Sequence, residues 1–595
     1  MVTGDAGTGG PVRDIDEITL AVVQGMLEST TREMTVTMAN TCRSPILKLA
    51  HDFSNAVFDW VPQMVIQGED IPNHLGALMY SCRDVAAYFG DDIRPGDVMY
   101  HNDPSTGNSH LQDMCVYRPV FYEDELQFWV VNKAHMTDTG GPVPGGYNPT
   151  AREIYAEGIR IPPVRIVDAG RMRTDVVDMI LANVRTPDWH RGDLLAQLGT
   201  LGVAERRLVG MMDRIGRQAT RDCVAEILDR SEAWMRREIA KLPDGVYDGE
   251  APVEDDGVTG PSTIRCRVTI SGDEMSLEYS SRPQGPSYIN AYEPITSSMA
   301  YLGVLFFVDP DMPHNAGIYR PIRFDAGPRG SLTNAVHPAP CSCSTSTVGE
   351  NITEAVVSAL NTAVPDQAAA GWGHITALIV SGVDPRSDDY YIYFGFNTLI
   401  GGAGAFAGMD GWNSLGATAS SGSLYTDDVE MVEYEYPIFV HRFELRTDSA
   451  SPGRWRGGFG PRYDFELVGH EGTVTRWGEG EFPAVSVLGA VAELPGRGGT
   501  YFIRHADGSR TPIGRHSVEL PVRKGDVLEC HIIGGGGVGP ARERDPELVA
   551  ADVRSGLVSR ESAEREYGVV LGTGHDIDRE ATAALRARMP SEASS

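Results

Sequence analysis

The stretch HLQDMCVYRPVFYEDELQFWVVNKAHMTD, residues 110–138, decides how this chain is read. Met114–Tyr122 and Leu126–Val131 are rich in β-branched and aromatic residues and flank the polar turn Glu123-Asp124-Glu125, which predicts two paired strands. Near their outer ends stand His110, Asp113 and His135. An extended three-residue step would put His110 and Asp113 on opposite faces, so sharing one partner requires a turn or bulge between them. The loop composition of Ser105-Thr106-Gly107-Asn108-Ser109 lies just before. His135 follows the apolar run Phe128-Trp129-Val130-Val131, where a polar side chain needs a partner or a task. With Asp52, in Ala50-His51-Asp52-Phe53-Ser54, they make two imidazoles and two carboxylates. Zinc or manganese accepts that ligand set, and such an ion, if the four converge, can acidify a water or grip an oxyanion. Taken singly, His110 and Asp113 read as a hydrogen-bonding loop and Asp52 as a turn cap.

Around this quartet, His101, Asp103 and Asp138 are the expected orienting groups, because metal-bound imidazoles usually donate their second N–H to a carboxylate or carbonyl. Asn102-Asp103-Pro104 also reads well as a turn in which Asp103 holds backbone amides. Lys133 reads by default as an exposed lysine, with neutralisation of a substrate anion as the alternative.

Outward from the hairpin, Leu20, Val23, Leu27, Met34 and Met38 fall near helical spacing within Ile15–Thr41. Ala56–Trp60 and Val98–Tyr100 read as strands and Leu75–Phe89 as a helix. Helical patterning dominates Asp175–Lys241, and Pro243-Asp244-Gly245 marks a domain edge. Ile264, Cys266, Val268 and Ile270 alternate as in a strand, turning at Ser271-Gly272-Asp273 into Met275, Leu277 and Tyr279. Asn351–Leu360 is expected to start a helix with Asn351 and Glu354 as a capping pair. Short strands separated by Gly and Pro fill Tyr434–Ile533, and Pro546–Met589 is charged and helical in pattern. The expected fold class is therefore α+β and multidomain, with mixed sheets, packed helices and a β-rich C-terminal part. Its divisions are a flexible arm at 1–14, a metal-site α/β domain with a helical block at 15–243, and an α+β domain at 244–430. A β-rich domain at 431–545 and a helical tail at 546–595 complete it.

Composition narrows the function. A chain of 595 residues is too long for one core. Hydrophobic residues make up 41% and charged ones 22%, as in an ordinary globular enzyme. No apolar run approaches the roughly 20 residues that span a bilayer. The Gly-rich start lacks the apolar segment of a signal peptide, so the expected location is cytoplasmic. The net charge of -31 argues against nucleic acid, which needs a basic footprint, and against anionic membranes. Lysine occurs only at 48, 133, 241 and 524. The eight cysteines include no Cys-x-x-Cys, and Cys341-Ser342-Cys343 reads as two small buried thiols.

Several common engines are missing. The chain contains no Gly-x-x-x-x-Gly-Lys-Ser/Thr, no His-Glu-x-x-His and no Gly-x-Ser-x-Gly. Gly534–Gly539 satisfies Gly-x-Gly-x-x-Gly, but Pro540 and a charged segment follow where a cofactor helix should start, so a tight turn is expected. Gly401–Gly408 reads as a connection, with a lid as the alternative.

Asp52-Phe53-Ser54 with Phe58-Asp59, Asn102-Asp103-Pro104, the Gly107–Asp113 loop and Ala134-His135 with Gly140-Gly141 resemble the hydantoinase B / 5-oxoprolinase family. So do Glu157-Gly158-Ile159-Arg160-Ile161-Pro162-Pro163, Asn183-Val184-Arg185, Gly192-Asp193-Leu194, Pro452-Gly453-Arg454, Arg456-Gly457-Gly458 and Tyr567-Gly568-Val569. The chain is also similar to the corresponding subunits of acetone and acetophenone carboxylases. The resemblance implies a metal-bearing subunit, carrying zinc, manganese or iron, that works with a hydantoinase A-like partner whose actin-like fold binds ATP. It carries the family ligands onto Asp52, His110, Asp113 and His135, with Asp52, His110 and His135 in catalysis. The implied activity is an ATP-dependent hydrolase of a cyclic amide such as a hydantoin, oxoproline or lactam. A ketone carboxylase is the second reading, and a scaffold with a structural metal the third. Two departures bear on the substrate: Phe482-Pro483-Ala484-Val485 where the family often has Phe-Pro-Pro, and Pro142–Pro149, which looks nearer the carboxylase branch.

Overall fold

The computed structural model describes residues 15–490 and 497–589. The expected arm at 1–14 therefore lies outside the described residues.

The hairpin read from residues 110–138 forms the centre of a seven-stranded sheet. Its strands are β1 (Phe53–Asp59), β2 (Met64–Gln67), β3 (Val98–His101), β4 (Asp113–Tyr122), β5 (Glu125–His135), β6 (Val164–Asp168) and β7 (Arg171–Met172), in the order β2-β1-β5-β4-β3-β6-β7. Glu123 and Asp124 take φ of 50° and 61°, the left-handed pair of a two-residue hairpin turn. β1 is buried at every position, and so are the last nine residues of β5. Both faces of the sheet centre are thus covered, which is why these strands read as apolar runs. The long helices Glu17–Thr41 and Pro187–Ile215 pack together and onto the sheet. Asp16 caps the first by accepting from the N–H groups of Ile18 and Thr19.

A second sheet of four strands spans Gly245–Asp325, and its last pair is parallel, Met275 facing Ile322. Its strands alternate buried and exposed positions, with helix Val348–Ala363 packed on it. A third sheet joins Thr376–Val383 and Tyr390–Phe394 to Gly472–Gly478 and Leu520–Val522. It therefore pairs strands from both sides of residue 430. A fourth sheet of five strands lies between Ile438 and His531, and the helices Pro546–Arg554, Arg560–Arg565 and Arg579–Arg586 follow. The chain is α+β, with helices packed among four sheets, of which the second is mixed and the others antiparallel among the described residues. Among the described residues, no helix is long and apolar enough to cross a membrane.

Two local expectations change and one alternative falls. The helix expected to start at Asn351 starts at Val348, so Asn351 and Glu354 are interior and buried. Asn351 Nδ2 donates to the Pro252 carbonyl at 2.7 Å instead of capping. Gly401–Gly404 is no lid, because a Cβ at Gly402 would lie 1.9 Å from the Gly458 carbonyl and one at Gly535 1.9 Å from that of Ala403. Backbone packs on backbone along this seam, which explains the glycines of Gly534–Gly537 without a nucleotide. Lys133 is fully buried.

Two consequences can be measured. Asp193 Oδ1 accepts from the N–H groups of Arg43 at 2.6 Å and Ser44 at 3.0 Å, fixing the turn after the first helix. Asp193→Ala strands two backbone donors, that of Ser44 buried, and should lower the unfolding free energy by about 1–3 kcal/mol in a urea titration. Asp70 is raised to about 6 by burial, against hydrogen bonds from Thr35 and Asn55. Its neutral form is favoured by folding, so this contribution is whole below the unfolded pKa of about 4 and is lost as pH rises through about 6. Asp70→Asn should flatten the fall in denaturation midpoint between about pH 4 and 6.

Candidate metal centre

Strand register assembles the site. In the β4–β5 ladder Asp113 faces His135, and in the β1–β5 ladder Phe53 faces Ala134, which sets Asp52 beside His135. The His135 N–H donates to the Asp52 carbonyl at 3.0 Å. Asp52, His135 and Asp113 thus form one row across the ends of three adjacent strands. Alternation puts Lys133 on the same face as His135, opposite Ser54 and Cys115. His110 joins through the turn that the three-residue spacing demanded: the Asp113 N–H donates to the His110 carbonyl at 3.3 Å. His51, just before Asp52, holds a left-handed φ of 56°, a strained conformation at the point where the chain enters the row.

Asp113 is the hub. Its Oδ1 lies 2.9 Å from His110 Nε2 and 3.1 Å from His135 Nδ1. Its Oδ2 lies 3.1 Å from Lys133 Nζ, 3.5 Å from His74 Nε2 and accepts from Ser109 Oγ at 2.5 Å. Burial alone would raise its pKa, yet His110 and Lys133 outweigh burial and hold Asp113 well below the usual carboxylate range. Burial keeps His74 neutral, far below the ordinary histidine value. Burial also raises Asp52, whose Oδ2 stands 4.0 Å from His135 Nδ1 and whose side chain is 18% exposed, the most open of the four.

The donors fit a divalent cation. His110 Nδ1–H donates to the Ser342 carbonyl at 2.8 Å, which in neutral imidazole leaves a lone pair on Nε2. That lone pair faces a carboxylate oxygen at 2.9 Å, so two acceptors oppose each other unless a positive charge lies between them. Ligand atoms of His110, Asp113 and His135 all lie within 4.8 Å of one another. Asp52 completes the row at greater distance.

The three expected orienting groups bond elsewhere. His101 pairs through Nε2 with the Tyr117 hydroxyl at 2.8 Å and through Nδ1 with Thr106. Asp103 takes the Arg160 guanidinium at 2.7 Å and caps the short turn at Pro104. Asp138 accepts from the N–H groups of Gly145 and Arg185 and pairs with the Arg185 side chain. It thereby fixes the 140s loop, where Gly146 keeps φ +76° and a Cβ would strike Thr139 Oγ1 at 2.4 Å. That loop delivers Tyr147.

Over the row lies a cavity of about 60 Å³. Besides the polar row it is lined by Ile46, Ile71, Ile375, Leu399 and Leu424, and by Tyr147, Phe394, Phe396 and Trp477. Tyr147 stacks on Trp477 at 4.0 Å and on the His135 ring at 5.7 Å. Sequence reasoning missed His74, Tyr147, Phe394, Phe396 and Trp477 as lining groups. Phe394, Phe396 and Trp477 come from distant segments, and no local pattern marks any of the five.

The hydantoinase B/oxoprolinase family model matches residues 16–541. The caprolactamase subunit beta of Pseudomonas jessenii is 44% identical over 577 residues, covering 96% of this chain and 99% of that protein. The acetophenone carboxylase delta subunit of Aromatoleum aromaticum is 26% identical over 536 residues, 84% of this chain and 78% of that one. Among solved structures, the ATP-dependent caprolactamase from Pseudomonas jessenii superposes with a TM-score of 0.90 at 42% identity, over 97% of this chain and 100% of that one. Nucleotide-free acetone carboxylase matches at 0.84 and 18% identity, over 96% of this chain and 83% of that one, which is a likeness of fold. This chain belongs to the hydantoinase B/oxoprolinase family.

Proposed function

We propose that the protein is the metal-bearing subunit of an ATP-dependent cyclic-amide hydrolase acting on a lactam. The observation that carries this reading is the apolar, aromatic box closed over the row Asp52, His135, Asp113 and His110. A small cyclic amide has a hydrocarbon ring to place against such walls and one polar edge to turn toward the row. The caprolactamase subunit with 44% identity supports a lactam over a hydantoin.

His110, Asp113, His135 and Asp52 would hold zinc, manganese or iron, and the ion supplies an acidified water near neutral pH. The chain's own groups do the positioning. Ser342 fixes the His110 ring and Lys133 anchors Asp113 together with Ser109. Removing either partner of such a buried pair costs about 3–5 kcal/mol. Ser54 donates to the Ile71 carbonyl and so accepts from His74 Nδ1, which leaves His74 Nε2 facing the cavity as an acceptor for a water or the amide N–H. Asp52, the most open of the four side chains, is the group placed to take a proton. Tyr147 and Trp477 exclude bulk water and hold the ring face. Amide carbonyls are poor electrophiles, so a hydantoinase A-like partner would bind ATP and phosphorylate the carbonyl oxygen before ring opening here. The relatives carry subunit names, which supports a partner.

The test is copurification with the partner, metal analysis and an ATP-dependent lactam assay. His110→Ala and His135→Ala should each lose the metal equivalent held at this row, and with it activity, while His101→Ala keeps the metal. Retention of that equivalent in the first two variants would overturn the assignment. Labelled bicarbonate separates the ketone carboxylase reading: ring opening without label in a carboxylate is expected. Trp477→Ala opens the box and should lower kcat/KM for a small lactam about tenfold, with the metal retained.

A further inference from the structure

A second polar cluster lies behind the walls of this cavity, and nothing in the proposed reaction uses it. Helix Val348–Ala363 carries Glu350 and Glu354 one turn apart on one face. Glu350 is fully buried and Glu354 is 8% exposed. His374, just before strand Thr376–Val383, sits between two carboxylates: Nε2 lies 3.0 Å from Glu354 Oε1 and Nδ1 2.8 Å from Glu479 Oε2. Glu479 is itself held, Oε1 accepting from the Glu254 N–H at 2.9 Å and Oε2 from Asn351 Nδ2 at 3.3 Å.

Four buried polar atoms here have no hydrogen-bond partner: His374 Nε2, Glu350 Oε1 and both oxygens of Glu354. The 3.0 Å contact between His374 and Glu354 is thus close but not directed as a hydrogen bond. Charge is also unbalanced. Glu350, Glu354 and Glu479 surround a single imidazole, while the neighbouring Arg515 is engaged by Glu254 at 2.9 Å and Glu481 at 2.5 Å, and Arg476 by Glu481 at 3.0 Å. Buried carboxylates without a counter-charge are costly. The face of Glu354 is kept open by Gly371, where a Cβ would lie 2.6 Å from Oε1, and a cavity of about 40 Å³ adjoins it.

We propose that this cluster is a second divalent-cation site, with Glu354 and His374 Nε2 as its seat and Glu350 Oε1 turning in as the third donor. Glu479 on Nδ1 is the carboxylate that orients a ligating histidine, leaving Nε2 free. Two carboxylates and an imidazole suit manganese, iron or zinc. The site is less gathered than the first, whose three ligand atoms already lie within 4.8 Å. Its place gives it a positioning role. The helix follows Ser346, His374 precedes Ile375, and Glu479 follows Trp477 by two residues; Ser346, Ile375 and Trp477 all line the first cavity. A cation there would tie together three segments that wall the substrate box.

Metal analysis of the chain copurified with its partner and dialysed against metal-free buffer tests this. The wild type should hold two divalent equivalents per chain, Glu354→Gln and Glu350→Gln one, His110→Ala one, and the His110→Ala/Glu354→Gln double variant none. Mn2+ added to His110→Ala stripped of its remaining metal with a chelator should raise its Tm and give one bound-manganese signal by electron paramagnetic resonance, and neither should occur in the double variant treated alike. One equivalent in the wild type, or wild-type stoichiometry in Glu354→Gln, would overturn the second site and leave the first untouched. The manganese signal in His110→Ala decides the matter even if the Glu354 variants fold poorly.

Discussion

The structure depends on the antiparallel register of β1, β5 and β4. Because the side-chain period of a strand is two, a slip of one residue would send His135 and Lys133 to the other face and dissolve the row they form with Asp52 and Asp113. The register is held by continuous burial of β1 and the inner part of β5 and by the tight turn at Glu123-Asp124. Hydrophobic burial on both faces of the sheet is therefore what gathers the charges at its end.

Gathering them carries an electrostatic cost that the site meets locally. Asp113 is fully buried yet ionised, because His110, Lys133, His135 and Ser109 all point at it. His110 then presents a lone pair where a cation fits, its tautomer set by the Ser342 carbonyl. The aromatic walls raise the strength of every such interaction by keeping water out. A polar row at the floor and an apolar box above it are two halves of one device.

The box is built by segments that carry polar groups on their far side as well. Ile375 lines the cavity while His374, its neighbour, meets Glu354 and Glu479. Trp477 stacks on Tyr147 while Glu479 holds the His374 ring. Shape on one side and charge on the other are thus carried by the same short pieces of backbone.

The sequence by itself determined the hairpin, the helical stretches within 15–41, 75–89 and 175–241, the α+β class and the residues that could ligate a metal, because periodicity and residue chemistry are local properties. It also carried the need for a turn between His110 and Asp113. Only the tertiary structure decided which groups meet. Lys133, by default an exposed lysine, became the buried anchor of Asp113 because β5 lies between two strands. His101, Asp103 and Asp138, near the quartet in sequence, turned to Tyr117, Arg160 and Arg185. Phe394 and Trp477 entered from segments far along the chain, and Glu354 left its expected helix cap for His374. Contacts between distant segments are fixed by packing of the whole, which no local pattern encodes.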